Sequence, residues 1–251
     1  MSGDAAPVML IVGGTGAIGG AIATMAAAAG WRVVVHGRDP ARTAATPGSP
    51  DDPTVAAGIA VDAFAPGGAA TIVAQASACF GRLDAVVDCI TGGPPGVTGR
   101  FGDTDPAGYA ALLDASVGHL QRLAHAALPW LSRHGGTLVA FASDAGRFAA
   151  PGQSIIATSR AGIIAFVRNL AVEAAKAGVR AHCICPAYVE GTPSLLRTEA
   201  RIPDRIAAAR ARAGLGLPTA RDIAPLVLFL CGPGAGRITG QVISVNGGLN
   251  A

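Results

Sequence analysis

Charge is scarce in this 251-residue chain: only 14% of residues are charged, and the net charge is +3. No basic block or aromatic–basic interleaving occurs, so the electrostatic footprint of a nucleic-acid binder is missing. Hydrophobic residues reach 51%, which fills a sizeable core and argues against disorder. No uninterrupted apolar run approaches the ~18–20 residues of a bilayer span. Met1-Ser2-Gly3-Asp4 lacks the basic start of a secretion signal. A cytoplasmic location, away from membranes, is therefore expected. The five cysteines (Cys79, Cys89, Cys183, Cys185, Cys231) are odd in number and lack metal-site spacing. A lone Cys183-x-Cys185 is a weak ligand set, and all five are read as buried, reduced core thiols. Tyrosine is the most consequential shortage. There are two, Tyr109 and Tyr188, with none between.

What is present is an alternation of short Val/Ile-rich runs with longer helical segments. Strands are predicted at 8–12, 32–36, 58–61, 83–89, 136–142, 179–185 and 241–245, and helices at 17–29, 68–80, 107–132, 154–177 and 221–231. Near-continuous hydrophobicity within the strands fits a parallel sheet covered on both faces. The prediction is one α/β domain over residues 1–251, a Rossmann-type doubly wound parallel sheet of about seven strands. Pro47, Pro50 and Pro53 truncate or melt the second crossover helix around 43–54. Residues 91–105, rich in glycine and carrying Pro94 and Pro95, read as a flexible loop at the carboxyl edge of the sheet.

Strand 8–12 runs directly into Gly13-Gly14-Thr15-Gly16-Ala17-Ile18-Gly19-Gly20 and an alanine-rich helix. Such a turn lets backbone amides approach a pyrophosphate, and the helix N-terminus favours its charge. Gly13, Thr15, Gly16, Ile18 and Gly19 are the candidate contacts. After the second strand stands His36-Gly37-Arg38-Asp39. NAD-preferring folds usually place an acid near position 37 for the ribose hydroxyls. Arg38 instead offers a guanidinium for a 2′-phosphate, with Arg42 one turn on, so NADP(H) is the expected cofactor. A solvated surface arginine is the ordinary alternative.

The segment from Ser143 through Pro151-Gly152-Gln153-Ser154-Ile155-Ile156-Ala157-Thr158-Ser159-Arg160 resembles the active-site stretch of the short-chain dehydrogenase/reductase family. The likeness spans about residues 8–248, including Cys185-Pro186-Ala187-Tyr188 and Asn246-Gly247-Gly248. It implies an adenine-side role for Asp62 and a nicotinamide-side role for Pro186. It also implies a serine that polarises a carbonyl, a tyrosine that moves a proton, and a lysine that tunes the tyrosine and holds ribose. An asparagine extends that relay. Here these positions hold Ser143, Ile156, Arg160 and Ser116, so only the serine is kept. Ile156 has no proton to exchange, and an arginine with a pKa above ~12 is a poor shuttle. Arg160 can still bind ribose hydroxyls. Tyr188, Asp144 and Asp88 are substitute proton donors or bases, while Ser154 is read as a helix cap, Ser159 as a packing contact and His182 as a core residue.

Residues 190–217 correspond to the family's substrate lid and carry Arg197, Arg201, Arg205, Arg210 and Arg212, the first three spaced by four and so expected on one helix face. That spacing fits a small-molecule substrate that is anionic or carrier-bound, a solvated face, or a subunit contact. The resemblance also implies a homo-oligomer, dimer or tetramer, through the long helices 107–132 and 154–177, whose small alanine-rich faces would permit it. Three functions stay open: an atypical NADP(H)-dependent oxidoreductase of a carbonyl or alcohol, a non-redox dehydratase, cyclase or isomerase, and a cofactor-binding protein without turnover.

Overall fold

The computed structural model describes residues 6–44, 58–90 and 94–250. Seven strands form one sheet in the order β3-β2-β1-β4-β5-β6-β7, every neighbouring pair parallel. They are β1 (Val8–Val12), β2 (Arg32–Gly37), β3 (Ile59–Ala60), β4 (Ala85–Asp88), β5 (Thr137–Phe141), β6 (Arg180–Pro186) and β7 (Val242–Val245). Alternate residues of β1 serve opposite layers. Val8, Leu10 and Val12 face α3 (Gly68–Phe80), α5 (His119–Leu131) and α6 (Ser154–Ala174), while Met9 and Ile11 face α1 (Ala17–Ala28) and α9 (Ala220–Cys231). Both faces are covered, which is why the strands read as unbroken apolar runs. The order reverses between β1 and β4, where Val12 pairs with Asp88. In open α/β sheets ligands bind outside the carboxyl ends of the strands at this reversal.

Most predicted elements are found. A short helix α2 (Pro40–Ala44) follows β2, and the prolines expected to disrupt the crossover lie outside the described residues. The expected helix 107–132 is a continuous helical run of mixed pitch. A 3₁₀ turn at 106–108 leads into α4 (Tyr109–Leu113), a π-helical turn Asp114–Gly118, then α5. The arginines of the 190–217 segment do not share one helix. α7 (Pro193–Arg201) stops at Ile202 and α8 (Pro203–Arg212) begins afresh, because Pro203 has no N–H to continue α7 and pushes Ile202 out of helical geometry.

One helix departs from the composition argument. Residues 154–177 are long and apolar enough, at mean hydropathy 1.4, to match a membrane span. Here α6 lies on the sheet, with Ile163, Val167, Leu170 and Ala171 buried along its inner stripe. The cysteine reading holds for Cys183, Cys185 and Cys231 and fails for Cys79, which is exposed on α3, while Cys89 is half-buried.

Candidate active site

The glycine turn is built by close approach. A Cβ on Gly19 would lie 2.6 Å from both Gly13 O and Gly14 Cα, so the start of α1 can pack on the turn only as glycine. Gly14 N donates to His36 O at 2.8 Å, locking the turn to β2. The α1 N-cap, Gly16, has no side chain to satisfy the first helical amides and no acid occupies the first turn. Those amides remain available to an anion. Thr15 is half-buried and its carbonyl accepts from Arg42 Nη2 at 2.8 Å, while Ile18 packs on the α1–α9 layer.

At the end of β2, Gly37 has no room for a side chain. A Cβ there would meet Thr15 Cγ2 at 2.7 Å, Thr15 Oγ1 at 2.8 Å and Thr43 Cγ2 at 2.9 Å. The site that would carry a ribose-binding acid is thus sterically closed. Arg38 beside it is exposed, and no hydrogen bond or ion pair from the described residues engages it. Arg42, by contrast, is tied down. Asp62, exposed after β3, uses one carboxylate oxygen to accept from Phe64 N at 3.0 Å.

Ser143, two residues beyond β5, caps a 3₁₀ turn, its Oγ accepting from Ala145 N at 3.3 Å. The hydroxyl proton remains free to donate. Three residues on, Gly146 lets this turn press on α6. A Cβ there would fall 2.7 Å from Arg160 C and 2.8 Å from Ala161 N. Position 160 is thereby fixed against the Ser143 turn, and Ile156 sits one helical turn earlier, half-buried. Arg160 is only 7% exposed and makes no hydrogen bond or ion pair among the described residues. Burial pushes its pKa below the ordinary value, partly offset by the field of the Asp88 carboxylate. A buried, unpaired guanidinium with five donors is costly unless a ligand completes it.

The substitute proton donors fare unequally. Asp144 is saturated: it accepts from Ser244 Oγ, from Asn246 Nδ2 at 2.5 Å and from Asn250 Nδ2 at 3.2 Å, buried to 2% exposure. It ties the Ser143 turn to the C-terminal segment and is not placed as a base. Tyr188 packs with Ala187 and Leu217 on Ala209, Ala213 and Leu249, half-buried beneath α8, after Pro186 closes β6. Its hydroxyl has no partner among the described residues. Asp88 is buried, accepts from Ile90 N at 3.1 Å and lies 3.5 Å from His119 Nε2. Ser159 is the expected packing residue, donating to Ile156 O. Ser154 lies inside α6, whose N-cap is Gln153.

Two residues that sequence reasoning passed over lie beneath the site, His36 and His119. Burial works to lower the His119 pKa, but the adjacent Asp88 carboxylate outweighs it and holds the imidazole above its ordinary value. Buried Ser116 Oγ, in the π-helical turn, is unpartnered among the described residues. A histidine inside apolar runs was the available signal, and spacing alone could not show which carboxylate it meets.

In the 190–217 segment, Arg205 Nη1 donates to Pro151 O at 2.8 Å and Arg201 Nη1 to Thr98 Oγ1 at 3.3 Å. Arg210 is paired with Glu190 and Glu199, and Arg212 donates to Leu249 O. Of the five arginines, Arg197 alone is exposed without a partner among the described residues. Among those residues no cluster suits a metal ion.

Residues 13–250 match the family model described as enoyl-(acyl carrier protein) reductase. The chain belongs to the short-chain dehydrogenase/reductase family. It is 32% identical to the short-chain reductase protein NovJ of Streptomyces niveus, over 96% of this chain and 93% of that one. It is 30% identical to 2-(S)-hydroxypropyl-CoM dehydrogenase 3 of Xanthobacter autotrophicus, over 97% and 96%. Among solved structures, the TT0495 protein of Thermus thermophilus superposes with TM-score 0.84 at 26% identity, covering 96% of this chain and 97% of that one. A 7α-hydroxysteroid dehydrogenase complexed with NADH has TM-score 0.86 at 23% identity, covers 96% of this chain and 93% of that one, and supports the fold alone. The family is one of oxidoreductases that bind a nicotinamide cofactor and act on small molecules.

Proposed function

We propose that this protein is an NADP(H)-dependent oxidoreductase of a carbonyl/alcohol pair whose proton transfer does not use the family's tyrosine and lysine. The observation that carries the reading is the pairing of a sterically closed Gly37 with a free, exposed Arg38. The first removes the acid that would hold ribose hydroxyls and the second supplies a bidentate donor for a 2′-phosphate. The residues present fit a dinucleotide. The amides after Gly16 would take the pyrophosphate, Asp62 would serve the adenine side, and Arg160 and Pro186 would serve the nicotinamide side. When bound, the cofactor supplies or accepts hydride.

This chain's own residues would orient the substrate oxygen and hold its charge. Ser143 donates its free hydroxyl proton as a hydrogen bond, and Arg160 offers a fixed positive charge from the buried side. Ile156 makes the corner next to them apolar, so a transferred proton comes from water or from Tyr188. Residues 190–217, held by Arg201 and Arg205, would act as the lid and limit water entry. Four engaged lid arginines favour subunit or lid contacts over an anionic substrate, leaving Arg197 and Arg160 as the cations for one. The exposed side of α6, with Val172 76% exposed, suits a homo-oligomer, dimer or tetramer. A single domain in the cytoplasm completes the reading.

The replacements at 116, 156 and 160 favour a second reading, a family-derived protein with no redox turnover, either a dehydratase, cyclase or isomerase or a cofactor-binding regulator. Calorimetry decides the cofactor. NADPH should bind at least tenfold more tightly than NADH, and Arg38→Ala should abolish the preference, since a charged hydrogen-bonded contact contributes ~1.5–3 kcal/mol. Equal affinities would sink the role of Arg38. NADPH left unoxidised across a broad carbonyl panel would shift the assignment to the second reading.

A further inference from the structure

The His36 imidazole stands between the two ends of the dinucleotide groove. Its Nδ1 lies 3.3 Å from Gly13 N and its Nε2 2.9 Å from Val61 O. An amide can only donate and a carbonyl can only accept, so these partners fix the proton on Nε2 and leave Nδ1 bare. The ring is therefore neutral and in one tautomer. The same residue's carbonyl accepts from Gly14 N at 2.8 Å, so residue 36 grips the glycine turn through backbone and side chain together. The residue is 1% exposed, out of reach of competing water.

We propose that His36 is a positioning residue for the dinucleotide site, a neutral brace that holds the glycine turn against the segment leaving β3. Gly13 is the residue whose backbone begins the pyrophosphate turn, and Val61 precedes Asp62 on the adenine side. One imidazole thus couples the phosphate end of the groove to its adenine end. Protonation would put a second N–H at Nδ1, facing the Gly13 N–H, and would break the contact. The charged or titratable groups near the ring are Asp62 beyond β3, Asp88 at the end of β4 and His119 at the start of α5. Burial, reinforced by His119, outweighs the Val61 carbonyl and both carboxylates and keeps the His36 pKa below its ordinary value. The brace persists through neutral pH and fails only in acid.

The affinity half of this inference rests on the cofactor reading above, whereas the tautomer does not. In ¹⁵N-labelled protein the His36 ring should show an unprotonated Nδ1 and a protonated Nε2 at neutral pH, and should take up its second proton at lower pH than an ordinary histidine, whose pKa is ~6.5. By calorimetry with NADPH, His36→Leu should lose about three- to tenfold in affinity, the range set by one buried hydrogen bond. His36→Asn, which restores an acceptor near Nδ1, should recover most of it. His36→Gln, which restores only a donor near Nε2, should not. A Nδ1-protonated ring, an ordinary titration, or His36→Leu binding NADPH as the wild type does would each overturn the brace. Should His36→Leu not fold, the wild-type spectrum and the Asn/Gln pair still decide. If the wild type binds neither NADPH nor NADH, the cofactor reading fails, and the spectrum alone judges the brace.

Discussion

At the β1–β2 end of the carboxyl edge, the groups that the proposed reading offers to a ligand are backbone amides after Gly16 and the exposed guanidinium of Arg38. At the β5–β6 end they are individual side chains: Ser143, Ile156, Arg160 and Tyr188. The first end depends on absent Cβ atoms, as at Gly19 and Gly37, and on a helix terminus. The second depends on single atoms of stated acidity, so on the proposed reading an isoleucine at position 156 would leave a gap in proton transfer that no packing adjustment restores.

The sharpest way to break this contrast is to restore the second end. Ile156→Tyr with Arg160→Lys should raise NADPH-dependent reduction over a carbonyl panel by roughly 10² or more, the contribution typical of a positioned acid–base group. No gain from a folded double variant would mean that the groove no longer aligns hydride and carbonyl, and that both ends have diverged. A smaller effect probes what holds the second end in place. Asp144→Ala leaves Asn246 and Asn250 without their shared acceptor, at a cost of roughly 2–4 kcal/mol. For a chain of this size that is about 5–10 °C of melting temperature. A melting point within a degree of the wild type would show that the C-terminal segment is not anchored through the Ser143 turn.

The strands, their parallel pairing and the glycine turn were legible from sequence because apolar runs and close-packed glycines leave periodic marks. The break at Ile202 was equally legible in Pro203, but the four-residue spacing of Arg197, Arg201 and Arg205 suggested a continuous helix instead. The role of Asp144 was hidden, because its partners Ser244, Asn246 and Asn250 lie about a hundred residues away in the chain. The same holds for His36 and Gly37. Their neighbours Gly13, Val61, Thr15 and Thr43 come together only through strand order, and no local pattern encodes a steric exclusion.

The smallest expected effect compares two buried imidazoles, one under each end. His182, mid-strand in β6, makes, like His119, no ring hydrogen bond among the described residues, and burial, then the charge of Arg180, outweigh the Ile238 backbone and drive its pKa down to about 4. The unfolded chain takes up this proton below ~6.5 and the folded chain only near 4, so His182 costs stability progressively as pH falls through that window. His119, below the kept end, has a raised pKa. Its contribution is complete below ~6.5 and disappears as pH rises through the folded value. Denaturant melts of His182→Leu should therefore lose less stability than the wild type between about pH 6.5 and 5, above the range where most carboxylates protonate. His119→Leu should show the opposite change in slope above about pH 6.5. If both variants shift in the same direction, the Asp88–His119 pair does not hold a proton, and the kept end carries no more charge under its groove than the rewritten one.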